Sequence, residues 1–413
     1  MSDEASPIGG RILTPFFYGC VFLAAAMAAL VLYRVFNGVG SITALTDGYS
    51  WGIWKPINVV TFTGIGAGAY AVGLLTYILN NGKFHPLVRP AVLVGALGYT
   101  LGGTSVIVDL GRWWGSVFLG FPPWYNLNSI LLEVALCVIT YMAVLWVEVL
   151  PAALERLKAD GTPAWKAFAT RWQPRVRRML PFIIALAMLL PTMHQSSLGG
   201  LYMMAPTKEH ALWFTGWLPF LFLTSCLTMG YGSVVFMDIL LGMSFRGKYR
   251  THMKLLGDLA KVSAWVTLFY VAVRFGALAW EGKLGYAFQL SGPMPFFWLE
   301  IALFLVSAVM YLSPSVRGNR GRLFLAGFVG ILAGTVYRVD TYLTAYDPGP
   351  GWHYFPSVGE VIVTVGLASV GIAIFLLVVR TLPILALGAE GVSSSHSSRP
   401  LRERSTERLA SGS

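Results

Sequence analysis

The chain reads as an all-α integral membrane protein of about ten transmembrane helices, two parallel-repeat four-helix bundles plus two flanking helices. Three observations lead there. Hydrophobic residues make up 56% of the 413 and charged residues only 12%, a composition unlike that of water-soluble domains. Apolar windows of about 20 residues, the length that crosses a bilayer as a helix, recur along the chain. The string LEVAL at 132–136 returns as LEIAL at 299–303, which points to an internal repeat.

The spans follow in order. Residues 1–15 form a tail without early positive charge, and the first span, 16–36, is too long for a signal h-region, so it is expected as an uncleaved helix. The second, 56–79, holds Gly64, Gly66, Gly68 and Gly73, which allow either close helix packing or room for a flat ligand. The third, 89–108, leads to Asp109 and Arg112, spaced to pair on a continuing helix, and then to Trp113, Trp114, Trp124 and Tyr125. An interfacial belt accounts for such aromatics. Together with the Gly/Pro-punctuated loop 345–357 they also suit an ordered surface covered by a partner.

The fourth span, 127–149, carries Glu133, and a carboxylate inside a membrane helix costs roughly 2.5–3.5 kcal/mol on insertion scales. Residues Glu133, Cys137, Tyr141, Val144 and Glu148 share one helical face and form a broken polar line of about 22 Å. That face suits either a proton path or a bond to a neighbouring helix. In the fifth span, 179–194, Pro191 is expected to kink or end the helix, after which His194, Gln195, Ser196 and Ser197 supply a polar group. His194 shares an expected depth with Asp109 and Arg112, with Glu133 roughly 10 Å further in.

Spans six to nine, 213–241, 256–280, 295–313 and 322–344, repeat spans two to five and place Glu300 where the first copy has Glu133. The first bundle is then 56–194 and the second 213–344, within a membrane domain of 16–382. Arg274, Glu300, Arg338 and Asp340 are expected to offset one another's charge. Glu360 opens the last span, 358–382, and the Ser/Arg-rich tail within 383–413 is expected to be disordered.

The net charge of +11 is a topology signal, because Lys and Arg concentrate in alternate loops, seven in 151–178, four in 242–254 and three in 314–322. By the positive-inside rule those loops and both termini are cytoplasmic. Nothing in this pattern calls for nucleic acid. Cys20, Cys137 and Cys226 sit in three different spans, which argues for buried hydrophobes and against a metal site or disulfide. Of the six histidines only His194 lies at a span, whereas a b-type haem between helices takes a pair at membrane depth.

Several strings carry a family resemblance: PIGGRI (7–12), FHPLVRPA (84–91), LGGTSVIVDLGRWW (101–114), NLNSILLEVALC (126–137), LLPTMHQSSLG (189–199), VRFG (273–276) and GWHYFPSVGEVIVTVG (351–366). The chain resembles the NrfD or polysulfide-reductase membrane-subunit family, in the branch of HybB-type subunits of nickel–iron hydrogenases. The resemblance implies a subunit of the bacterial inner membrane without haem or iron–sulfur cluster, passing electrons from a periplasmic ferredoxin-like iron–sulfur partner to menaquinone or ubiquinone. Nickel–iron and iron–sulfur centres would belong to partner subunits, including the hydrogenase large and small subunits. The family's polar residues carry over onto Glu133, His194, Asp109 and Arg112. Asp340 departs from the family pattern, which has an uncharged residue there.

On this basis a quinone head group is expected among Asp109, Arg112, Trp113, His194 and Gln195, with His194 and Glu133 relaying protons that arrive along Tyr141 and Glu148. Three alternatives stay open: a quinol-oxidising subunit of a molybdenum enzyme, an ion or solute transporter, and a passive anchor.

Overall fold

The computed structural model describes residues 5–290 and 292–386. Among the described residues ten helices are long and apolar enough to cross a membrane, and we number them as follows: α1 Pro15–Asn37, α2 Trp54–Ile78, α3 Gly82–Asp109, α4 Ile130–Asp160, α5 Pro163–Met204, α6 Leu218–Ser244, α7 Met253–Trp280, α8 Met294–Leu312, α9 Arg320–Thr344 and α10 Val358–Thr381. The chain is a multi-pass, all-α membrane protein. The helix starts are chemically marked: Thr14 caps α1 through Phe17 N at 3.2 Å with Pro15 in the first turn, and Ser357 with Glu360 forms a capping box on α10.

Packing follows chain order for the most part. Helix α4 lies against α3 and α5, α7 against α6 and α8, and α9 against α6 and α8, while α1 packs on α10. The centre is the contact of α2 with α3 and α6. The glycines of α2 serve that contact. A Cβ on Gly64 or Gly68 would sit 2.8 Å from Met229 or Ser233 atoms of α6, and one on Gly73 would sit 2.6 Å from Met188 of α5. On α3 a Cβ at Gly98 would lie 2.5 Å from the Phe62 carbonyl. These positions are filled by neighbouring helices, so the room for a flat ligand beside α2 is not there.

Helix α2 opens as a wide π-helical stretch, Trp54–Thr61, around Pro56, which has no N–H to donate, and α9 closes as another, Asp340–Thr344. The indole of Trp54 donates to the Glu360 carbonyl at 2.9 Å and so ties α2 to α10.

Three expectations are corrected. Pro191 does not end the fifth helix, which runs on to Gly200. The basic stretch 151–178 is mostly helical, because α4 continues to Asp160 and α5 starts at Pro163, so both project beyond the apolar windows. Residues 383–386, assigned above to a disordered tail, are ordered: Leu385–Ala386 (β2) pairs antiparallel with Ala5–Ser6 (β1). Residues 387–413, where the rest of that tail falls, lie outside the described residues.

Candidate functional site

Glu133 sits in the first turn of α4, directly after the Ser129 cap, because the helix begins at Ile130 and not at 127. It is therefore at the same level as the end of α5 and not about 10 Å further in. The Ser197 hydroxyl donates to Glu133 Oε1 at 2.6 Å. The carboxylate faces outward from the helices, while Cys137, Tyr141 and Val144 on the same α4 face are buried. Glu148 follows two turns beyond Tyr141 and is half-buried.

One turn before Ser197, His194 and Gln195 are fully enclosed. The Tyr99 ring of α3 lies edge-on against the His194 ring at 5.4 Å and against Tyr141 at 4.5 Å, linking α5 to α4. Gln195 Nε2 points at Thr63 Oγ1 and at Tyr99 OH, both 3.5 Å away, and its Oε1 accepts from Arg338 Nη2 at 3.4 Å. These contacts are long and weak. Neither ring nitrogen of His194 has a partner among the described residues, nor has the Tyr141 hydroxyl or the side-chain amide of Asn58. Buried polar atoms are usually bonded, and these are unpartnered among the described residues. Tyr141, His194 and Gln195 thus all meet Tyr99, while Glu133 is tied to Ser197, one turn along α5 from His194. Tyr99, Thr63 and Arg338 complete the group.

Asp109, Arg112 and Trp113 do not join it. Helix α3 ends at Asp109, the next residue is extended (φ −66°, ψ 123°), and Arg34 holds the Leu110 carbonyl. Arg112 is thereby swung into an exposed loop, and the expected Asp109–Arg112 pair is corrected: Asp109 Oδ2 meets Lys55 Nζ of α2 at 2.6 Å. Asp109 is also ten residues from Tyr99 along α3, about 15 Å of helix. Trp113, Trp114, Trp124 and Phe355 are exposed on the loops at this end.

The four-charge scheme in the second half is also revised. Arg274 Nε faces Glu300 Oε1 at 3.7 Å, and Glu300 further accepts from Trp213 Nε1 and Tyr270 OH, both at 3.0 Å. Arg338 belongs instead to the Gln195 group, and Asp340 accepts from Thr344 at 2.9 Å. The reason is helical phase: residues 338 and 340 are about 200° apart around α9.

Further along α5 from His194, Tyr202 packs against Tyr342 at 4.3 Å, near the loop that holds Glu209. Glu209 is 9% exposed with neither carboxyl oxygen bonded among the described residues, and burial pushes its carboxyl up to about 9.

Residues 41–340 match the family model described as "Polysulphide reductase, NrfD". The chain belongs to the NrfD family. Within curated relatives it is 34% identical to the "Probable Ni/Fe-hydrogenase 2 b-type cytochrome subunit" of Escherichia coli K12, over 93% of this chain and 96% of the relative. It is 26% identical to the "Menaquinone reductase, integral membrane subunit" of Nitratidesulfovibrio vulgaris, over 90% of this chain and 91% of that protein. It is 23% identical to a selenate reductase subunit of Mesobacillus selenatarsenatis, over 90% of this chain and 95% of that one.

The first relative's name raises a b-type haem, which a donor pair of histidines between helices would hold. What faces the His194 ring is Tyr99 and not a second imidazole. His85, His210, His252 and His353 lie at helix starts or in loops. Among the described residues the donor set does not fit that haem.

Proposed function

We propose that this NrfD-family chain is the quinone-reactive membrane subunit of a respiratory hydrogenase in the bacterial inner membrane, both termini cytoplasmic, reducing menaquinone or ubiquinone. The observation that carries the reading is the enclosed group around His194, an imidazole with both nitrogens open beside an amide, phenols and a guanidinium. The names of the hydrogenase and menaquinone reductase relatives support it. A periplasmic iron–sulfur subunit would cover the exposed aromatic loops and supply electrons taken from hydrogen by the hydrogenase large and small subunits.

Reduction of a quinone takes two electrons and two protons, and the residues divide the work. The head group approaches between α4 and α5, where Glu133 faces outward and Ser197 bridges to it. His194 donates to one quinone oxygen and relays a proton through its neutral ring, giving one from one nitrogen as the other takes one up. Glu133 resupplies it, fed from the basic side along the face of Tyr141 and Glu148. Asp109, with Lys55, and the exposed Arg112 and Trp113 then belong to the partner-facing surface and not to the head-group site. Within the second four-helix bundle, 213–344, the Glu300–Arg274 pair is structural; the proton-carrying residues belong to the first, 56–194, beside which the second places Arg338.

The selenate reductase relative favours one second reading, a quinol-oxidising subunit of a molybdenum oxidoreductase. The metals and the set of subunits in the complex drawn from native membranes in mild detergent separate the two. Nickel with excess iron in stoichiometric hydrogenase subunits is the expected result. Molybdenum supports the second reading, and a metal-free lone chain refutes both.

A further inference from the structure

The quinone reading leaves Arg338 without a task. Its guanidinium is fully buried, with Nη1 donating to the Gly334 carbonyl at 3.0 Å and Nη2 to Gln195 Oε1 at 3.4 Å. Its Nε has no acceptor among the described residues, and its Cζ lies 5.8 Å from the Phe222 ring centre. The titratable groups that face it are Cys226 on α6, Tyr270 on α7 and Tyr337 and Tyr342 on α9, with Tyr99 on α3 and His194 on α5. None of them is a carboxylate. Arg338 takes part in none of the ion pairs among the described residues, whereas Arg274 has Glu300.

Arginine does not give up its proton inside proteins, so this is a standing positive charge at membrane depth without a counter-ion. Such charges are costly and are normally paired. A site that bears one holds a neighbouring oxygen far better as an anion than as a neutral carbonyl, because the donor is already in place and water is excluded. Gln195 fixes where that oxygen sits, since its Oε1 already holds Nη2 of the guanidinium.

Resting on the quinone reading, we propose that Arg338 makes the His194–Gln195 site an anion-holding one, in which the reduced ligand is kept as its monoanion before the last proton arrives. Two electrons and one proton convert the quinone to an anion with one hydroxyl and one charged oxygen. The charged oxygen faces Arg338. The second proton, passed by His194 to that oxygen, yields the neutral quinol, which the guanidinium holds less well and which leaves.

The test is binding of two small naphthoquinones to the purified complex, one bearing an acidic ring hydroxyl ionised at neutral pH and the other its methyl ether. The parent should bind the ionised compound about 10- to 100-fold more tightly than the ether, the range of a charge-assisted hydrogen bond. That preference should vanish in the parent once the pH falls below the compound's own ionisation. Arg338→Gln should bring the two affinities close together, while Arg338→Lys keeps most of the preference. A parent that binds both alike, or an Arg338→Gln protein that keeps the preference, overturns the proposal and leaves the quinone site standing. Should Arg338→Gln bind neither compound, the parent's pH profile and the Lys variant decide by the same criteria. A parent that binds neither compound removes the quinone reading itself, and this inference with it.

Discussion

Glu133→Gln separates proton delivery from architecture, because glutamine keeps the shape of the side chain and an acceptor for the Ser197 hydroxyl. In the parent that bond is 2.6 Å long and ends on a carboxylate, a short charge-assisted contact. Replacing the charged acceptor by an amide costs at most the difference between a charged and a neutral hydrogen bond, about 1 kcal/mol. If Glu133 only anchors α4 to α5, hydrogen:quinone turnover should therefore change by about fivefold at most. A proton relay loses more, since removing a positioned acid or base typically costs about 100- to 10,000-fold. The assay is hydrogen oxidation by the purified complex, with a soluble quinone analogue in one series and a dye that takes electrons directly from the partner's clusters in the other. The expected result is a fall of at least about 100-fold with quinone and an unchanged dye rate. Ser197→Ala, which breaks the bond but leaves the carboxylate, should fall only about tenfold with quinone. Equal quinone rates in Glu133→Gln and parent would remove Glu133 from the mechanism, and equal losses with dye and quinone would show damage to assembly instead.

Three further outcomes are expected. Gly98→Val puts methyl groups where even a Cβ would be 2.5 Å from the Phe62 carbonyl, so it should destabilise the α2–α3 contact by roughly 1–3 kcal/mol or more, read as a lower melting temperature in detergent. Glu300→Gln leaves Arg274 buried without its counter-charge and should cost about 3–5 kcal/mol of stability. A double change that also replaces Arg274 by Met should recover much of it, and a single variant as stable as the parent would show that the pair does not hold the bundle. Glu209 has its carboxyl raised by burial to about 9, so the folded state holds a proton that the unfolded chain releases near 4.5. Its contribution is then complete below the unfolded value, declines as pH rises from there and is gone above about 9. Glu209→Gln should flatten the stability profile between about pH 4.5 and 9.

How much of this was legible beforehand depends on the distance over which the determining contacts act. Span number and order followed from apolar length alone, because a helix must satisfy its own backbone in lipid and about 20 residues set the crossing. The polar importance of Glu133, Tyr141, His194 and Gln195 was legible for a related reason, since a polar side chain within an apolar window stands out whatever surrounds it. Partners were not legible. Asp109 looked ready to pair with Arg112 because helical spacing was carried three residues too far; the helix stops at Asp109, and Lys55, more than fifty residues earlier, takes the carboxylate. Arg338 and Asp340 were expected in one four-charge cluster with Arg274 and Glu300, yet their opposite phase on α9 sends the arginine to Gln195 of α5. Likewise Gly64 and Gly68 announced close approach without saying to what, and only the packed helices put Met229 and Ser233 of α6 there. The sequence by itself determined which segments enter the membrane and which side chains pay a penalty inside it, as both are properties of a residue and its near neighbours. The tertiary structure decided which of those side chains meet, because that depends on helix phase and termination across segments far apart in the chain.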